Sequence, residues 1–161
     1  MYTVKSFVDK IAPFVMLEST LSHILPSVTL AQAIIESNKG NSGLTKKANN
    51  LFGIKGSYRG QSITMMTSEY IGGQYIHVPA KFRKYPDWWE SIADHSYLII
   101  SAKRYSNIPG CEDYKLVCKY LQQDGYATSP TYADTLIRTI ETNKLYEYDK
   151  KRVELYGSLR V

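Results

Sequence analysis

Two glutamates in this 161-residue chain stand where a carboxyl group can do acid–base work. Glu36 closes the apolar run Ala31-Gln32-Ala33-Ile34-Ile35, which has the texture of a buried helix. On the last turn of that helix its carboxyl faces the negative end of the macrodipole in apolar surroundings. Both influences disfavour the charged form and raise the pKa, as a general acid near neutral pH requires. A solvated helix-end glutamate is the ordinary alternative, and position alone does not choose between them. Glu69 lies in Thr67-Ser68-Glu69-Tyr70, just before a Gly-Gly turn. A second carboxylate can complement Glu36 in acid–base chemistry; the plain alternative for Glu69 is an exposed hairpin side chain.

Other polar and aromatic residues are candidates for binding. Asn49 and Asn50 offer amide donors and acceptors suited to a polar ligand, or equally to capping their own loop. Tyr126 and Tyr132 either line a groove or pack in the core with their hydroxyls satisfied; Tyr126, placed before a helix, is the better groove candidate. Trp88 and Trp89 open a helix and are read as core aromatics. Cys111 and Cys118 would be about 10.5 Å apart on one helix, beyond the roughly 7 Å reach of a disulfide, and are read as free thiols. Two cysteines and the scattered His23, His77 and His95 have no metal-binding spacing, so neither a metal nor a cofactor is expected.

Helices must position most of these residues. Helical spacing of Val4, Phe7, Val8, Ile11, Val15 and Leu17 predicts a first helix from about Thr3 to Ser19, bent or split by Pro13. Pro26 and Ser27 open a second, which ends in the Asn38 to Gly43 region with Glu36 on its last turn. Two β-prone runs, Ser62 to Tyr70 and Tyr75 to Phe82, flank Ile71-Gly72-Gly73-Gln74 and read as a hairpin. Further helices are expected from Asp87, over Glu112 to Gln123, and from Pro130. The chain reads as one domain over 1–161, with 150–161 a charged and loosely held tail.

Composition sets the outer limits. With 43% hydrophobic and 22% charged residues the chain is an ordinary globule, long enough to need no staple. Fourteen tyrosines and a formal charge of +5 admit nucleic acid, an anionic surface or an acidic polymer as partner. The Lys and Arg residues are dispersed and no recognition module appears, which argues against nucleic acid. No apolar run approaches the roughly 20 residues of a membrane span, so no membrane insertion is expected. Asp9 and Lys10 interrupt the only candidate for a secretory signal.

Three segments, in order and spacing, carry a resemblance. Ala31 to Ser37, Ala48-Asn49-Asn50-Leu51-Phe52-Gly53-Ile54-Lys55-Gly56 and Tyr126-Ala127-Thr128-Ser129-Pro130-Thr131-Tyr132-Ala133 are similar to the glucosaminidase domain of glycoside hydrolase family 73, over about Thr3 to Asp149. The resemblance implies a mainly helical, lysozyme-like α+β fold in which a helical lobe and a small β-hairpin lobe flank a substrate groove. It also implies an endo-β-N-acetylglucosaminidase that cleaves the β-1,4 bond after N-acetylglucosamine in bacterial peptidoglycan strands. Glu36 aligns with the family's catalytic acid and Glu69 with its second glutamate, acting on water or assisting a 2-acetamido nucleophile. Tyr126 joins the catalytic list, and Asn50 and Tyr132 are the expected substrate contacts. The chain departs from the family at Asn38-Lys39, where many relatives have Gly-Trp, and at Ser129, usually Asp. The expected setting is the bacterial cell wall, reached by a phage lysin, a virion-borne hydrolase or a domain of a larger protein. An N-acetylmuramidase of the same fold and a non-catalytic wall-binding module are the alternatives.

Overall fold

The computed structural model describes residues 1–158. Its seven α-helices are α1 (Val4–Ser22), α2 (Pro26–Glu36), α3 (Gly43–Ala48), α4 (Trp88–Ser101), α5 (Tyr114–Gln123), α6 (Tyr132–Thr142) and α7 (Tyr146–Ser158), with a 3-10 turn at Lys103–Tyr105. One antiparallel hairpin, β1 (Ser62–Ile71) and β2 (Gln74–Arg83), interrupts them after α3. The result is the expected mainly helical α+β architecture.

The central element is α2, in which every residue from Pro26 to Ile34 is buried. A helix apolar on all sides needs partners on all sides, and α1, α5, α6 and α7 pack around it. Leu25 supplies no side-chain cap at its N-terminus. Asp149 of α7 takes that place, accepting from the Ser27 backbone N–H at 2.8 Å and from its hydroxyl at 2.6 Å. A carboxylate at the positive end of the dipole stabilises the helix and ties α7 to it. The expected tail at 150–161 begins within α7. Residues through Ser158 continue α7, Arg152 is buried and donates to Glu112 at 2.6 Å, and 159–161 lie outside the described residues.

Pro13 does not split α1, which runs unbroken from Val4 to Ser22. Proline leaves the carbonyl four residues earlier without its donor, and both Asp9 and Pro13 are exposed, so water can serve that carbonyl. The hairpin follows the sequence closely. Gly72 and Gly73 have φ of 61° and 85°, the paired left-handed conformation of a type I′ turn, with Ile71 opposite Gln74. α3 was not expected; Ser42 caps it by accepting from the Thr45 N–H at 3.1 Å.

The hairpin base is fastened to α4 by polar groups. Asp94, buried, accepts from Arg83 at 2.8 Å and from the Tyr85 hydroxyl at 2.6 Å. Glu90 accepts from Arg59 at 3.3 Å and from the Tyr58 hydroxyl. The two cysteines are free, and burial pushes the Cys118 thiol up to about 12. Trp88 packs against Phe7 and Tyr2 with the Lys10 ammonium over its ring, a structural setting.

Candidate active site

The C-terminus of α2 is shaped by the residues that follow Glu36. Ser37 donates its hydroxyl to the Ala33 carbonyl at 2.6 Å and accepts from the Gly40 N–H at 2.7 Å, closing the helix and starting a tight reversal. Asn38, Lys39 and Gly40 have φ of 49°, 57° and 74°. Asn tolerates the left-handed region better than most residues, which suits Asn38 to this turn. At Gly40 a Cβ would lie 2.8 Å from the Phe7 ring, so only glycine fits without moving the core.

Glu36 opens onto a groove of about 460 Å³ between the helical lobe and the base of the hairpin lobe. Phe52 to Lys55 form one wall; His95, Leu98, Ile99 and Ala102 of α4 and its end form another; Arg104, Tyr105, Tyr126 and Ala127 complete it. Burial raises the Glu36 carboxyl above the ordinary carboxylate range, and the hydroxyl of Tyr132, donating to Oε1 at 3.1 Å, pulls it back in part. Desolvation is the larger effect, which is the condition for a carboxyl that keeps its proton toward neutrality.

Tyr126 and Tyr132 stand side by side, rings 5.8 Å apart and nearly parallel at 13°. Tyr126 is half-buried and lines the groove; Tyr132 is 5% exposed and reaches Glu36 from beneath. Burial holds both phenols above the ordinary tyrosine range, so both stay neutral donors. Tyr132 thus meets Glu36 itself, whereas a substrate contact was expected of it.

Asn50 requires a correction. It is 1% exposed, and its amide donates to the carbonyls of Ile54 and Arg83, both at 2.9 Å, and accepts from the N–H groups of Ile54 at 3.1 Å and Phe52 at 3.4 Å. Those bonds occupy the side chain, which therefore shapes the loop bearing Phe52 to Lys55 and offers nothing to a sugar. Asn49 does similar work, donating to Tyr85 and Pro86 carbonyls at 3.1 and 3.0 Å.

Glu69 sits near the tip of β1, on the strand face shared by Ile63, Met65 and Thr67. It pairs with Lys55, a residue of the groove wall, and does not itself line the groove. This ion pair links the hairpin carboxylate to the groove that holds Glu36. Among the described residues no group of His, Cys, Asp and Glu could hold a metal ion.

Two groups beside Glu36 were missed. Gln32 lies in the Ala31 to Ser37 segment, where the sequence signals only a buried helix; His95 stands singly, with no spacing that marks it. His95 is 1% exposed, stacked on Phe52 at 3.9 Å, and donates from Nε2 to Gln32 Oε1 at 3.0 Å. Burial lowers its pKa to about 3. The folded protein therefore resists protonating this ring, while the unfolded chain takes up a proton near 6.5. Stability from this group is complete above 6.5 and is lost progressively as pH falls from there toward about 3. Denaturation midpoints at pH 7 and pH 5 should show the fall in wild type and a smaller one in His95→Phe. Equal falls would place the acid sensitivity elsewhere.

The glucosaminidase family, described as mannosyl-glycoprotein endo-beta-N-acetylglucosaminidase, matches residues 12–145, which takes in the groove, Glu36 and the hairpin. The chain belongs to this glucosaminidase family. The chain is 41% identical to the exo-glucosaminidase LytG of Bacillus subtilis (strain 168), over 96% of this chain and 58% of LytG. It is 33% identical to a probable N-acetylmuramidase of Lactococcus lactis subsp. cremoris, over 90% of this chain and 35% of that protein. Its fold superposes on the catalytic domain of the autolysin Auto from Listeria monocytogenes with a TM-score of 0.81 and 36% identity, over 92% of this chain and 89% of that one. The chain thus spans little more than half of LytG and about a third of the Lactococcus protein. The fold is the mainly helical, lysozyme-like α+β one. Among the described residues no helix is long and apolar enough to cross a membrane.

Proposed function

We propose that this glucosaminidase domain hydrolyses the β-1,4 bond that follows N-acetylglucosamine in peptidoglycan glycan strands, at the bacterial cell wall, with Glu36 as general acid. The observation that carries the reading is the Glu36 carboxyl at the groove between the lobes, raised by burial and held through one oxygen by Tyr132. An acid kept protonated by its setting can deliver its proton to the glycosidic oxygen as the bond breaks. Relatives bearing peptidoglycan hydrolase, autolysin and glucosaminidase names support the substrate class.

The rest of the site fits that chemistry. Tyr126, a neutral donor on the groove wall, is placed to orient an acetamido group or the ring oxygen as positive charge develops. Glu69, linked through Lys55, supplies the second carboxylate. It activates water directly or assists a substrate 2-acetamido nucleophile. Arg104 adds positive charge to the groove, favourable for a polymer bearing lactyl and peptide carboxylates.

The experiment is to identify the new reducing end. Purified peptidoglycan digested with the protein, reduced with borohydride and hydrolysed should yield glucosaminitol. Following glycan length during digestion separates internal cleavage, as the family description has it, from end-wise release, as the LytG name has it. Muramitol would overturn the bond assignment in favour of the muramidase alternative, which the Lactococcus relative's name keeps in view. Wall binding with no new reducing ends would establish a non-catalytic module.

A further inference from the structure

Beneath the groove a chain of three hydrogen bonds runs from α4 through α2 to α6 and back to the acid. His95 Nε2 lies 3.0 Å from Gln32 Oε1, Gln32 Nε2 lies 3.1 Å from the Tyr132 hydroxyl, and that hydroxyl lies 3.1 Å from Glu36 Oε1. Gln32 is 0% exposed and His95 1%, so no water competes for these partners. We propose that Gln32 and His95 are positioning residues that fix the direction of the Tyr132 hydroxyl proton and so keep the labile proton of Glu36 on Oε2, the oxygen Tyr132 does not occupy. The proposal rests on the reading of Glu36 as general acid.

The direction follows from donor and acceptor chemistry at each link. Gln32 Oε1 can only accept, so the single N–H of a neutral His95 ring is the one on Nε2. With Oε1 committed to His95, the Gln32 amide presents Nε2, which can only donate, to Tyr132. Tyr132 must then accept from Gln32, and its one proton goes to Glu36 Oε1. A carboxylic acid receiving a proton at Oε1 carries its own on the other oxygen. Accepting from Gln32 also polarises the tyrosine hydroxyl and makes it a stronger donor.

Without this polarity the hydroxyl is free to turn. It can then accept the acid's proton, which stabilises protonated Glu36 and diverts the proton from the glycosidic oxygen. The expected consequences are a lower kcat and an alkaline limb of the kcat profile moved to higher pH, since the acid works only while protonated. The other groups that face this carboxyl are Tyr126, Tyr105, Arg104 and Lys55 around the groove, with the C-terminal carbonyls of α2 behind it. The variants leave all of them in place. Neutrality of His95, held by burial, keeps the relay intact across the working range.

The test uses Gln32→Met and, from the far end of the relay, His95→Phe, whose ring can keep the stack on Phe52. Soluble peptidoglycan fragments give kcat and KM against pH. Carboxyl ¹³C NMR follows Glu36 directly, its signal identified by its loss in Glu36→Gln. Gln32→Met should lower kcat about tenfold, the scale of one hydrogen bond, with KM within about twofold. Its kinetic limb and its carboxyl midpoint should both move to higher pH. Combined with Tyr132→Phe, it should cost no more than Tyr132→Phe alone. His95→Phe should shift the carboxyl midpoint in the same direction, which keeps the test open should Gln32→Met fold poorly. A folded variant whose carboxyl midpoint stays at the wild-type value overturns the relay, as do additive losses in the double variant. Full activity of Glu36→Gln would overturn the general-acid reading instead, and the NMR midpoints would still report on the relay.

Discussion

Glu36→Gln should reduce the formation of new reducing ends from peptidoglycan by about a thousandfold or more, with the melting temperature unchanged or raised. General acid catalysis contributes on the order of 10²–10⁴ in rate, and glutamine keeps the volume of glutamate without a proton to donate. Nothing in the local fold depends on the charge. The amide oxygen can still accept from Tyr132, and the turn after α2 is held by Ser37 and Gly40. Burial raises the Glu36 pKa because the carboxylate is costly in that setting, and replacing it removes the cost. Rates on purified walls, with circular dichroism to check the fold, decide the matter. Activity within tenfold of wild type would remove Glu36 from the role of acid.

Glu69→Gln should be the second most damaging change, with a loss of about a hundredfold in kcat. The carboxylate is held by Lys55 on the hairpin, and the hairpin stands on the Arg83, Tyr85 and Asp94 cluster, none of which needs the Glu69 charge to fold. The loss should therefore be chemical. Proton NMR of the first-formed anomer identifies the role. Inversion means that Glu69 activates water, and retention means that the substrate's acetamido group attacks with Glu69 assisting. A rate within twofold of wild type would make Glu69 a hairpin side chain only.

Much of this architecture was legible in the chain because local rules and tertiary needs agree there. The Gly72-Gly73 pair demanded a type I′ hairpin, and Asp87 capped α4 by accepting from the Glu90 N–H at 2.9 Å. The apolar run before Glu36 put the acid at the end of a buried helix. Ordered segments also carried the family resemblance, since residues around a site keep their spacing along the chain.

What the chain could not disclose was which side chains meet. Asn50 is chemically suited to sugars, yet its amide is bonded to Ile54 and Arg83, because a buried amide must satisfy its hydrogen bonds with whatever backbone the fold brings near. Pro13 looked like a break, but packing of α1 on α2 and α4 outweighs one lost bond on an exposed face. The expected tail begins just after Asp149, and the fold brings that residue to the uncapped end of α2, 122 positions earlier in the chain. Gln32, His95 and Tyr132 belong to three helices distant in sequence. A helical period shows which residues of one helix turn inward, but their partners are set by how the helices pack. Spacing therefore determined most of the elements and set Glu36 at a helix end, while packing alone decided which hydroxyl holds its carboxyl and what holds the hydroxyl.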